Sequence, residues 1–419
     1  MSPPTRLLVR ALSVPVAAGR TVLALPVTYL AVLTGAAWFA TLTGRPRPTA
    51  TGSGHRIAVL IPAHDEEQVI GETLRAMAAL EYPTDRYRVH VVADHCTDRT
   101  VGIATSAGVE VHEHEGVTRG KGPALQWAIG RLLDGEEPPD VFVVVDADTV
   151  VDPRLLTDID VAVSAGARAV QGQYRVRDPG SSPTAGLRAA ALALRHHLRP
   201  LGRTTLGASS GLYGNGMAFT ADVLRQRDWS GHLTEDVELQ MELLLDGILV
   251  QYAPTAVVEA EMPATLSGAQ TQNERWERGR LDLARRYVPR LLRAATRRPG
   301  AAPPEAPPRI AAADAVLDHL VPPLSVLVAA TGAVAVAGTA LRAISPVGRP
   351  RAGWGLVAAL AGHVVSGLVL ARVPRSVYRS FVHAPGMVVW KVRLWARMLL
   401  GRSDVDWVRT ARVGSEPSG

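Results

Sequence analysis

The stretch DVFVVVDAD, Asp140–Asp148, places a run of β-branched and aromatic residues directly before two carboxylates. A short apolar run bounded by polar residues predicts a strand buried in a sheet. Two similar runs precede it, RIAVLIP at Arg56–Pro62 and YRVHVVAD at Tyr87–Asp94. Helical patterns fall between the runs, at Glu66–Leu80 and Lys121–Leu133. This alternation predicts an α/β fold with a mainly parallel sheet covered by helices.

Carboxylates lie at the carboxyl ends of two of these predicted strands. Asp94 ends the second strand, and Asp146 and Asp148 end the third. In open sheets of this kind, ligands bind beyond the carboxyl ends of the strands. In extended backbone the side chains of Asp146 and Asp148 point the same way, so both can reach one hard cation or one sugar hydroxyl. An isolated Asp-x-Asp is more often a turn or a cap, so the preceding strand is what makes the pair a candidate site.

Lys121 stands between two glycines in RGKGPALQW, Arg119–Trp127, just before a predicted helix. A helix N-terminus with a lysine is a suitable seat for a phosphate group. The spacing differs from the phosphate loop of ATPases, which needs a longer glycine-rich run before Lys-Ser/Thr. The first strand also does not lead into Gly-x-Gly-x-x-Gly, which weighs against a nicotinamide dinucleotide.

Three acids lie close together in HLTEDVELQ, His232–Gln240, namely Glu235, Asp236 and Glu238. Thr234 is predicted to cap a helix here, and acids in a first helical turn are favoured by the helix dipole. This structural interpretation accounts for all three acids, so the segment by itself does not identify a catalytic group.

Other candidate side chains receive structural interpretations. Asp98 is predicted to cap the helix that follows the second strand. His112 and His114 are two apart on a predicted strand and face one side, an arrangement that can bind a metal ion. Because no third ligand is evident nearby, a solvated strand end is the preferred interpretation of these histidines. Cys96 is interpreted as a packed thiol rather than a nucleophile.

The composition favours association with a membrane. Of the 419 residues, 47% are hydrophobic and 20% are charged, and the single cysteine excludes an internal disulfide framework. Three apolar segments have about the length that a bilayer core requires, ~20 residues. They are Thr21–Leu42, Leu324–Ala340 and Trp354–Leu370. The last two are only moderately hydrophobic, so a buried pair of soluble helices is the alternative for them.

Basic residues mark one side of the membrane. A basic helix with tryptophans at Val388–Leu399 is predicted to lie in the membrane interface, with packing on the globular block as the alternative. Leucines and valines interleaved with its charges argue against nucleic-acid binding. Arginines from Arg275 onward and in the tail place the globular block in the cytoplasm, at the inner (plasma) membrane, by the positive-inside tendency. The orientation of the N-terminus stays open.

These features divide a multi-pass membrane protein into five predicted segments. They are an N-terminal membrane anchor (1–53), a cytosolic globular domain with interfacial helices (54–298), a Pro-rich linker (299–312), two transmembrane helices (313–373), and an amphipathic helix with a cytosolic tail (374–419).

Taken in order, the candidate residues form five motifs. They are a strand-end Asp (Asp94), a Lys between glycines (Lys121), Asp-x-Asp (Asp146, Asp148), Thr-Glu-Asp (Asp236) and Gln-x-x-Arg-Trp (Gln272, Arg275, Trp276). The series resembles the processive-type family 2 glycosyltransferases, which include the synthases of cellulose, chitin, hyaluronan and poly-N-acetylglucosamine. The resemblance covers about Ile57–Arg280. IPAHDEE at Ile61–Glu67 looks like the family's opening Pro-x-x-Asn-Glu, and WVRTAR at Trp407–Arg412 is similar to an element that closes over the nucleotide in some members.

The resemblance implies a cytosolic GT-A domain that binds a UDP-sugar together with Mg²⁺ or Mn²⁺. Asp94 would contact the uracil, and Lys121 would lie near the nucleotide. Asp146 and Asp148 would hold the donor, with Asp148 ligating the metal bound to the diphosphate.

The same resemblance assigns the transfer step. Asp236 falls at the family's general base, a carboxylate that takes the proton of the attacking hydroxyl. One base opposite the leaving group implies inversion, hence a β-linkage from an α-linked donor. Gln272, Arg275 and Trp276 match the motif that binds the diphosphate and walls the acceptor site. The sequence departs from the family pattern at Ala93, where an Asp is frequent, and it lacks the Phe-x-Val-Thr-x-Lys gating loop of cellulose synthases.

The acceptor stays open at the level of sequence. Extension of an exopolysaccharide or cell-surface glycan is the first hypothesis, with a channel that is short or completed by a partner subunit or a homo-oligomer. Transfer of one sugar to a membrane lipid, as in the ceramide glucosyltransferases, is the second. A catalytically silent membrane scaffold is the third, and the intact Asp148, Asp236, Arg275 and Trp276 argue against it. The expected partners are a nucleotide-sugar, a glycan or lipid acceptor and membrane lipids, with no nucleic acid.

Overall fold

The structure is a computed structural model that describes residues 3–44, 54–225, 227, 235–261, 266–297, 306–344 and 350–399. Within these ranges the side chains of residues 3–12, 266–276, 278, 343–344, 350 and 399 are not described.

The strands of the described residues join in one sheet. In chain order they are β1 Ile57–Ala63, β2 Tyr87–Asp94, β3 Glu110–His114, β4 Val141–Val144, β5 Thr149–Val151, β6 Ala169–Val176, β7 Met217–Thr220 and β8 Val250–Ala260. Across the sheet the order is β3-β2-β1-β4-β7-β6-β8-β5.

The sheet is mixed. β1 pairs in parallel with β2 and β4, β2 with β3, and β6 with β8. β7 runs antiparallel to β4 and β6, and β5 runs antiparallel to β8. The predicted α/β class is confirmed, and the three predicted runs do form neighbouring parallel strands. The antiparallel pairings come from later strands that the sequence pattern did not identify.

Helices occupy most of the remaining described chain. In chain order the α-helices are α1 Pro3–Leu42, α2 Ile70–Ala78, α3 Thr100–Ser106, α4 Lys121–Leu133, α5 Leu155–Ser164, α6 Pro183–Leu192, α7 Arg199–Thr205, α8 Ala221–Arg225, α9 Glu235–Leu245, α10 Leu266–Ala295, α11 Arg309–Leu320, α12 Leu324–Ile344, α13 Pro350–Leu370, α14 Arg375–Ser380 and α15 Ala384–Leu399. A π-helix, Ala193–Leu198, joins α6 to α7, and a 3₁₀ helix, Phe381–His383, joins α14 to α15.

Helices cover both faces of the sheet. Along β1, Val59 and Ile61 belong to one buried cluster, whereas Ala58 and Leu60 belong to another, because successive strand residues face opposite sides. α2 and α5 pack on the first cluster, and α4 and α9 pack on the second. α4 has the predicted bounds, whereas the helix predicted from Glu66 begins only at residue 70.

The third predicted strand is shorter than expected. β4 ends at Val144, and a turn at Ala147–Asp148 then leads into β5. The amide of Thr149 donates to the carbonyl of Asp146 at 3.2 Å, which closes this turn. The Asp-x-Asp pair therefore does not lie in extended backbone, and the prediction that strand geometry points both side chains the same way was wrong.

The three predicted spans coincide with helices that are long and apolar enough to cross a membrane. These segments are Ser13–Leu42 of α1, Leu324–Arg342 of α12 and Arg351–Leu370 of α13. The three helices pack on one another through a shared apolar cluster. Members of that cluster include Leu30, Leu33, Leu327 and Leu360. Their outward faces carry exposed apolar side chains, including those of Val32, Phe39, Val336 and Val365.

A helix that the sequence analysis did not predict joins α1 to the sheet domain. Residues 309–312, expected at the end of the Pro-rich linker, begin α11. In α11 the buried carboxylate of Asp314 accepts hydrogen bonds from Arg203 Nε at 2.6 Å and from the Tyr29 hydroxyl at 2.9 Å. Arg203 belongs to α7 and Tyr29 to α1, so one carboxylate ties three helices together.

The basic helix predicted for the membrane interface is α15, and part of it packs on the protein. Leu394 is fully buried, and Lys391 Nζ donates to Glu277 Oε1 of α10 at 2.7 Å. These contacts agree with the alternative interpretation, packing on the globular block. Interfacial placement of the outward face stays a prediction.

Candidate active site

Lys121 lies at the centre of the site. It is the first residue of α4, and the preceding Gly120 has φ 122°, a region that favours glycine. Lys121 Nζ donates to Asp146 Oδ1 at 2.5 Å and to the carbonyl of Gly214 at 2.6 Å. Burial disfavours the charge of Lys121, but the carboxylates of Asp146, Glu235 and Asp236 outweigh it and raise the pKa of the ammonium group.

Asp236 lies beside this lysine. It is the second residue of α9, and its Oδ1 accepts a hydrogen bond from the amide of Val237 at 2.8 Å. A Cβ added to Gly214 would lie 3.5 Å from Asp236 Oδ2 and 3.8 Å from Lys121 Nζ. Gly214 therefore lies next to both side chains and has no side chain of its own between them. Burial, reinforced by the negative charge of Glu235, raises the pKa of Asp236 to about 7.

Asp148 adds negative charge to the same region. Burial raises the pKa of Asp148 to about 6, and repulsion from Asp146 and Glu261 adds to the effect. Because the charge of Asp146 disfavours ionisation of Asp148, a divalent cation held by both carboxylates would remove the repulsion. Oxygen ligands suit Mg²⁺ or Mn²⁺, so the residues present fit the implied metal.

The sequence analysis did not predict that Gly214 and Asn215 contact Lys121 and Asp146. Asn215 is fully buried; its Oδ1 accepts from the amide of Asp146 at 3.2 Å, and its Nδ2 donates to Thr149 Oγ1 at 2.8 Å. Gly214 and Gly216 flank it, and both have positive φ. The Gly-Asn-Gly pattern in the sequence was the available signal for a backbone that needs glycine.

Asp94 is connected to this site through a hydrogen bond from Gly120, the residue before Lys121. Its Oδ2 accepts from the amide of Gly120 at 2.8 Å, and its Oδ1 accepts from His114 Nδ1 at 2.9 Å and from His95 Nδ1 at 2.8 Å. Burial raises the pKa of Asp94, but these three hydrogen bonds outweigh it and lower the pKa overall. His114 is therefore buried and bonded, and its interpretation as a solvated strand end was wrong, because the β2–β3 register sets it opposite Asp94.

Asp98 caps the start of α3, as predicted, but from one residue before the N-cap position. The N-cap position of α3 is Arg99, one residue later than predicted. Asp98 Oδ1 nonetheless accepts from the amide of Thr100 at 2.9 Å, and Oδ2 accepts from the amide of Glu67 at 3.0 Å. The carboxylate thus caps the start of α3 and also fixes the loop before α2.

Three predicted site residues lie on α10. The backbone of Gln272, Arg275 and Trp276 is helical, but their side chains are outside the described part of the chain. Thr234 and the segment Trp407–Arg412 also lie outside the described residues. Their roles stay predictions.

An aromatic stack connects the site to the apolar helices. The ring of His196, in the π-helix, stacks on Tyr213 with centroids 3.9 Å apart and on Tyr174 at 5.5 Å. Tyr213 precedes Gly214, and its hydroxyl donates to the carbonyl of Arg195 at 3.1 Å. The π-helix packs on α13, and α7 after it packs on α1. The site therefore lies on the side of the sheet domain that meets the candidate membrane helices.

Comparison with known proteins agrees with this geometry. Residues 55–279 match the family model described as Glycosyltransferase like family 2. Beta-monoglucosyldiacylglycerol synthase of Synechocystis sp. is 27% identical over 232 residues, which cover 54% of this chain and 47% of that protein. Poly-beta-1,6-N-acetyl-D-glucosamine synthase of Staphylococcus epidermidis is 25% identical over 232 residues, which cover 53% of this chain and 54% of that protein. The chain spans about half the length of these curated relatives.

A solved structure has the same fold. It is described as mannosyltransferase PcManGT from Pyrobaculum calidifontis in complex with GDP-Man and Mn²⁺. The alignment has a TM-score of 0.51 and 19% identity, and it covers 94% of this chain and 100% of that one. At this identity the likeness concerns the fold, and it agrees with the predicted GT-A domain. Because the family model matches more than half of the 419 residues, the chain belongs to Glycosyltransferase like family 2.

Proposed function

We propose that the chain transfers a sugar from a nucleotide-sugar donor to an acceptor at a membrane surface, with Asp236 as the general base. One observation carries the proposal: Asp236, Lys121 and Asp146 meet around Gly214. Three groups of the proposed reaction thus lie close together. They are the carboxylate of Asp236 for the proton, the ammonium group of Lys121 for the diphosphate and the carboxylate of Asp146 for the donor.

The proposed transfer depends on the raised pKa of Asp236. At a pKa of about 7 the carboxylate is partly ionised near neutral pH and is basic enough to accept a proton. As the acceptor hydroxyl attacks the anomeric carbon, its proton passes to Asp236 and the bond from that carbon to the diphosphate breaks. Attack opposite the leaving group gives inversion. Lys121 supplies positive charge for the departing diphosphate.

The donor is held, in this proposal, by several groups around the turn after β4. Asp146 and Asp148 are the proposed ligands of Mg²⁺ or Mn²⁺. When bound, such an ion acts as a Lewis acid that offsets the charge developing on the diphosphate. Gln272, Arg275 and Trp276 are proposed to complete the diphosphate and acceptor sites from α10.

Asp94 is the proposed contact for a uracil base. A carboxylate offers about four lone-pair positions, and His114, His95 and Gly120 occupy three of them. Among the described residues, one acceptor position of Asp94 is therefore left for a donor such as the N–H of uracil. This supports a UDP-sugar as the substrate.

A membrane lipid is the proposed acceptor. In the described residues α1, α12 and α13 are in mutual contact around a core of apolar side chains, and this packing favours a lipid acceptor over a sugar chain that passes between the three helices. The aromatic stack of Tyr174, His196 and Tyr213 instead leads from the site toward α13. The similarity to a glucosyldiacylglycerol synthase supports this choice.

Extension of a glycan is the second candidate. It is supported by the similarity to a poly-N-acetylglucosamine synthase, and it requires a partner subunit or a second copy to complete a channel. In both cases we propose a multi-pass protein of the inner membrane with the segment 54–298 in the cytoplasm, because arginines cluster on that side.

The test uses the full chain in lipid vesicles supplied with a panel of UDP-sugars and Mg²⁺ or Mn²⁺, with products sized by mass spectrometry. A lipid carrying one sugar supports the first candidate, and a ladder of longer chains supports the second. Asp236→Asn should reduce transfer by about 10² to 10⁴-fold, the usual contribution of a general base.

Asp85→Asn is the matched control, because its carboxylate is 80% exposed and lies just before β2, at the opposite end of that strand from Asp94. It should transfer sugar at the rate of the unchanged chain. Transfer by Asp236→Asn at the rate of Asp85→Asn would show that another group accepts the proton.

A further inference from the structure

We propose that His90, Glu110 and His112 form a binding site for a divalent transition-metal ion of the Zn²⁺ class. The site lies at the edge of the sheet and is separate from the Asp146–Asp148 pair. Neither the family match nor the proposed transfer reaction requires it.

The register of two parallel strands brings these side chains to one face. β3 is the first strand in the order of the sheet, and β2 is its neighbour. His90 pairs with Glu110, and Val92 pairs with His112. Because alternate residues of a strand share a face, His90, Glu110 and His112 converge on the side of the sheet covered by α4. Trp127 of α4 meets His112 edge-on, with centroids 6.4 Å apart.

The distances match a tetrahedral metal site. His90 Nδ1 lies 3.0 Å from His112 Nε2 and 3.2 Å from Glu110 Oε2. All three ligand atoms lie within 4.8 Å of one another. Zinc bonds of ~2.0–2.1 Å in tetrahedral geometry place ligand atoms roughly 3.3 Å apart. Small movements of these side chains would therefore admit the ion.

Hydrogen bonding alone satisfies this group poorly. His90 Nδ1 faces both His112 Nε2 and Glu110 Oε2, but a ring nitrogen carries at most one proton. Whichever tautomer is present, Nδ1 has either one proton or one lone pair, so only one of these two contacts can be a full hydrogen bond. A metal ion accepts a lone pair from each of the three groups.

The imidazoles are in the protonation state that metals need. Burial lowers the pKa of His90 to about 4, and burial also lowers the pKa of His112. Both rings are therefore neutral at physiological pH, with a lone pair available. Glu110 is exposed, so an ion can enter from solvent. Two imidazoles and a carboxylate are typical ligands of Zn²⁺, and a water completes the four positions.

The test measures binding of Zn²⁺ and Co²⁺ to the full chain in detergent after treatment with a chelator. All measurements use the Asp148→Asn background, so that the all-oxygen pair contributes little. Co²⁺ should give the strong visible absorption of a tetrahedral site, and Zn²⁺ should displace it at one ion per chain. Glu110→Gln and His112→Ala should each weaken Zn²⁺ binding by at least about 100-fold, since even outer-shell changes cost ~10–100-fold.

Glu113→Gln is the matched control, because it is exposed on the same strand and faces the opposite side of the sheet. It should bind Zn²⁺ as the parent does. Circular dichroism of the metal-free variants checks folding, and the exposed Glu110 provides a variant that leaves the core intact. Absence of Zn²⁺ uptake by the parent, or equal affinity in Glu110→Gln and Glu113→Gln, would overturn the proposal.

Discussion

Asp236 experiences opposing influences on its charge. Its place in the first turn of α9 and the amide of Val237 favour the ionised carboxylate. Burial and the neighbouring Glu235 disfavour it more strongly, and the pKa rises to about 7. A helix start, which by itself explained the acids of this segment, is thus also a place where a base can be tuned.

This balance predicts how the rate of transfer depends on pH. A general base acts only when deprotonated, so kcat should be highest above pH 7 and fall by about tenfold per pH unit well below it. Glu235→Gln removes a negative neighbour and should lower the pKa of Asp236, which moves the acidic limb of the profile to lower pH. The measurement is kcat against pH with saturating donor.

Glu137→Gln provides the control for this profile, since Glu137 is 85% exposed in a surface loop. Its acidic limb should coincide with that of the unchanged chain. An acidic limb in Glu235→Gln that also coincides would mean that Asp236 does not set the limb.

At the scale of elements, β3 positions the start of α4. His114, the last residue of β3, donates to Asp94, and Asp94 accepts from the amide of Gly120 immediately before Lys121. The edge strand β3 thereby fixes the carboxylate of Asp94, and Asp94 in turn fixes the start of α4 at Lys121.

Removal of the His114 side chain tests this connection. His114→Ala should raise the KM for the nucleotide-sugar by about 10- to 100-fold, because a hydrogen bond to a charged group contributes ~1.5–3 kcal/mol. The kcat should change little, because the contact orients the donor equally before and during transfer. Glu115→Gln, exposed in the loop after β3, should leave the KM unchanged. A fall in kcat at constant KM would assign His114 to the chemical step.

The elements differ in how far the sequence predicted them. β2 and α4 have the predicted bounds, because an uninterrupted apolar run and a helical period each report local structure. β7 and β8 were not predicted, since their place in the sheet depends on partners far along the chain. Among the residues of the candidate site, Asp236 and Lys121 were predicted through motif order, and the structure places them side by side. Gly214 and Asn215 were not, because their contribution is a backbone conformation and a buried amide.

At the scale of the whole molecule, a buried ion pair connects the first apolar helix to the sheet domain. Arg203 and Asp314 are both almost fully buried, and Tyr29 of α1 shares the same carboxylate. Buried pairs of this kind are sensitive to the loss of one partner, and without Asp314 the guanidinium of Arg203 would keep only the longer contact to Asp318, at 3.9 Å.

Asp314→Asn should therefore destabilise the protein by about 3–5 kcal/mol, the usual result of breaking a buried ion pair. The measurement is the midpoint of thermal unfolding in detergent. Asp282→Asn, which breaks the exposed pair of Asp282 with Arg285, should cost less than about 1 kcal/mol. Equal midpoints for the two variants would show that the buried pair does not stabilise the joint.

The π-helix at Ala193–Leu198 determines which way the helices on either side of it, α6 and α7, face their neighbours. A π turn corresponds to one extra residue in a helix, which rotates everything after it by about 100° relative to a regular α-helix. Before this turn, Gly186 of α6 packs closely against Ser380; after it, Gly202 of α7 packs closely against the backbone of Leu33. Deleting one residue between 193 and 198 would restore the regular helix and leave only one of these glycines facing its neighbour. The extra residue thus sets the angular phase at which the sheet domain and the first apolar helix can meet.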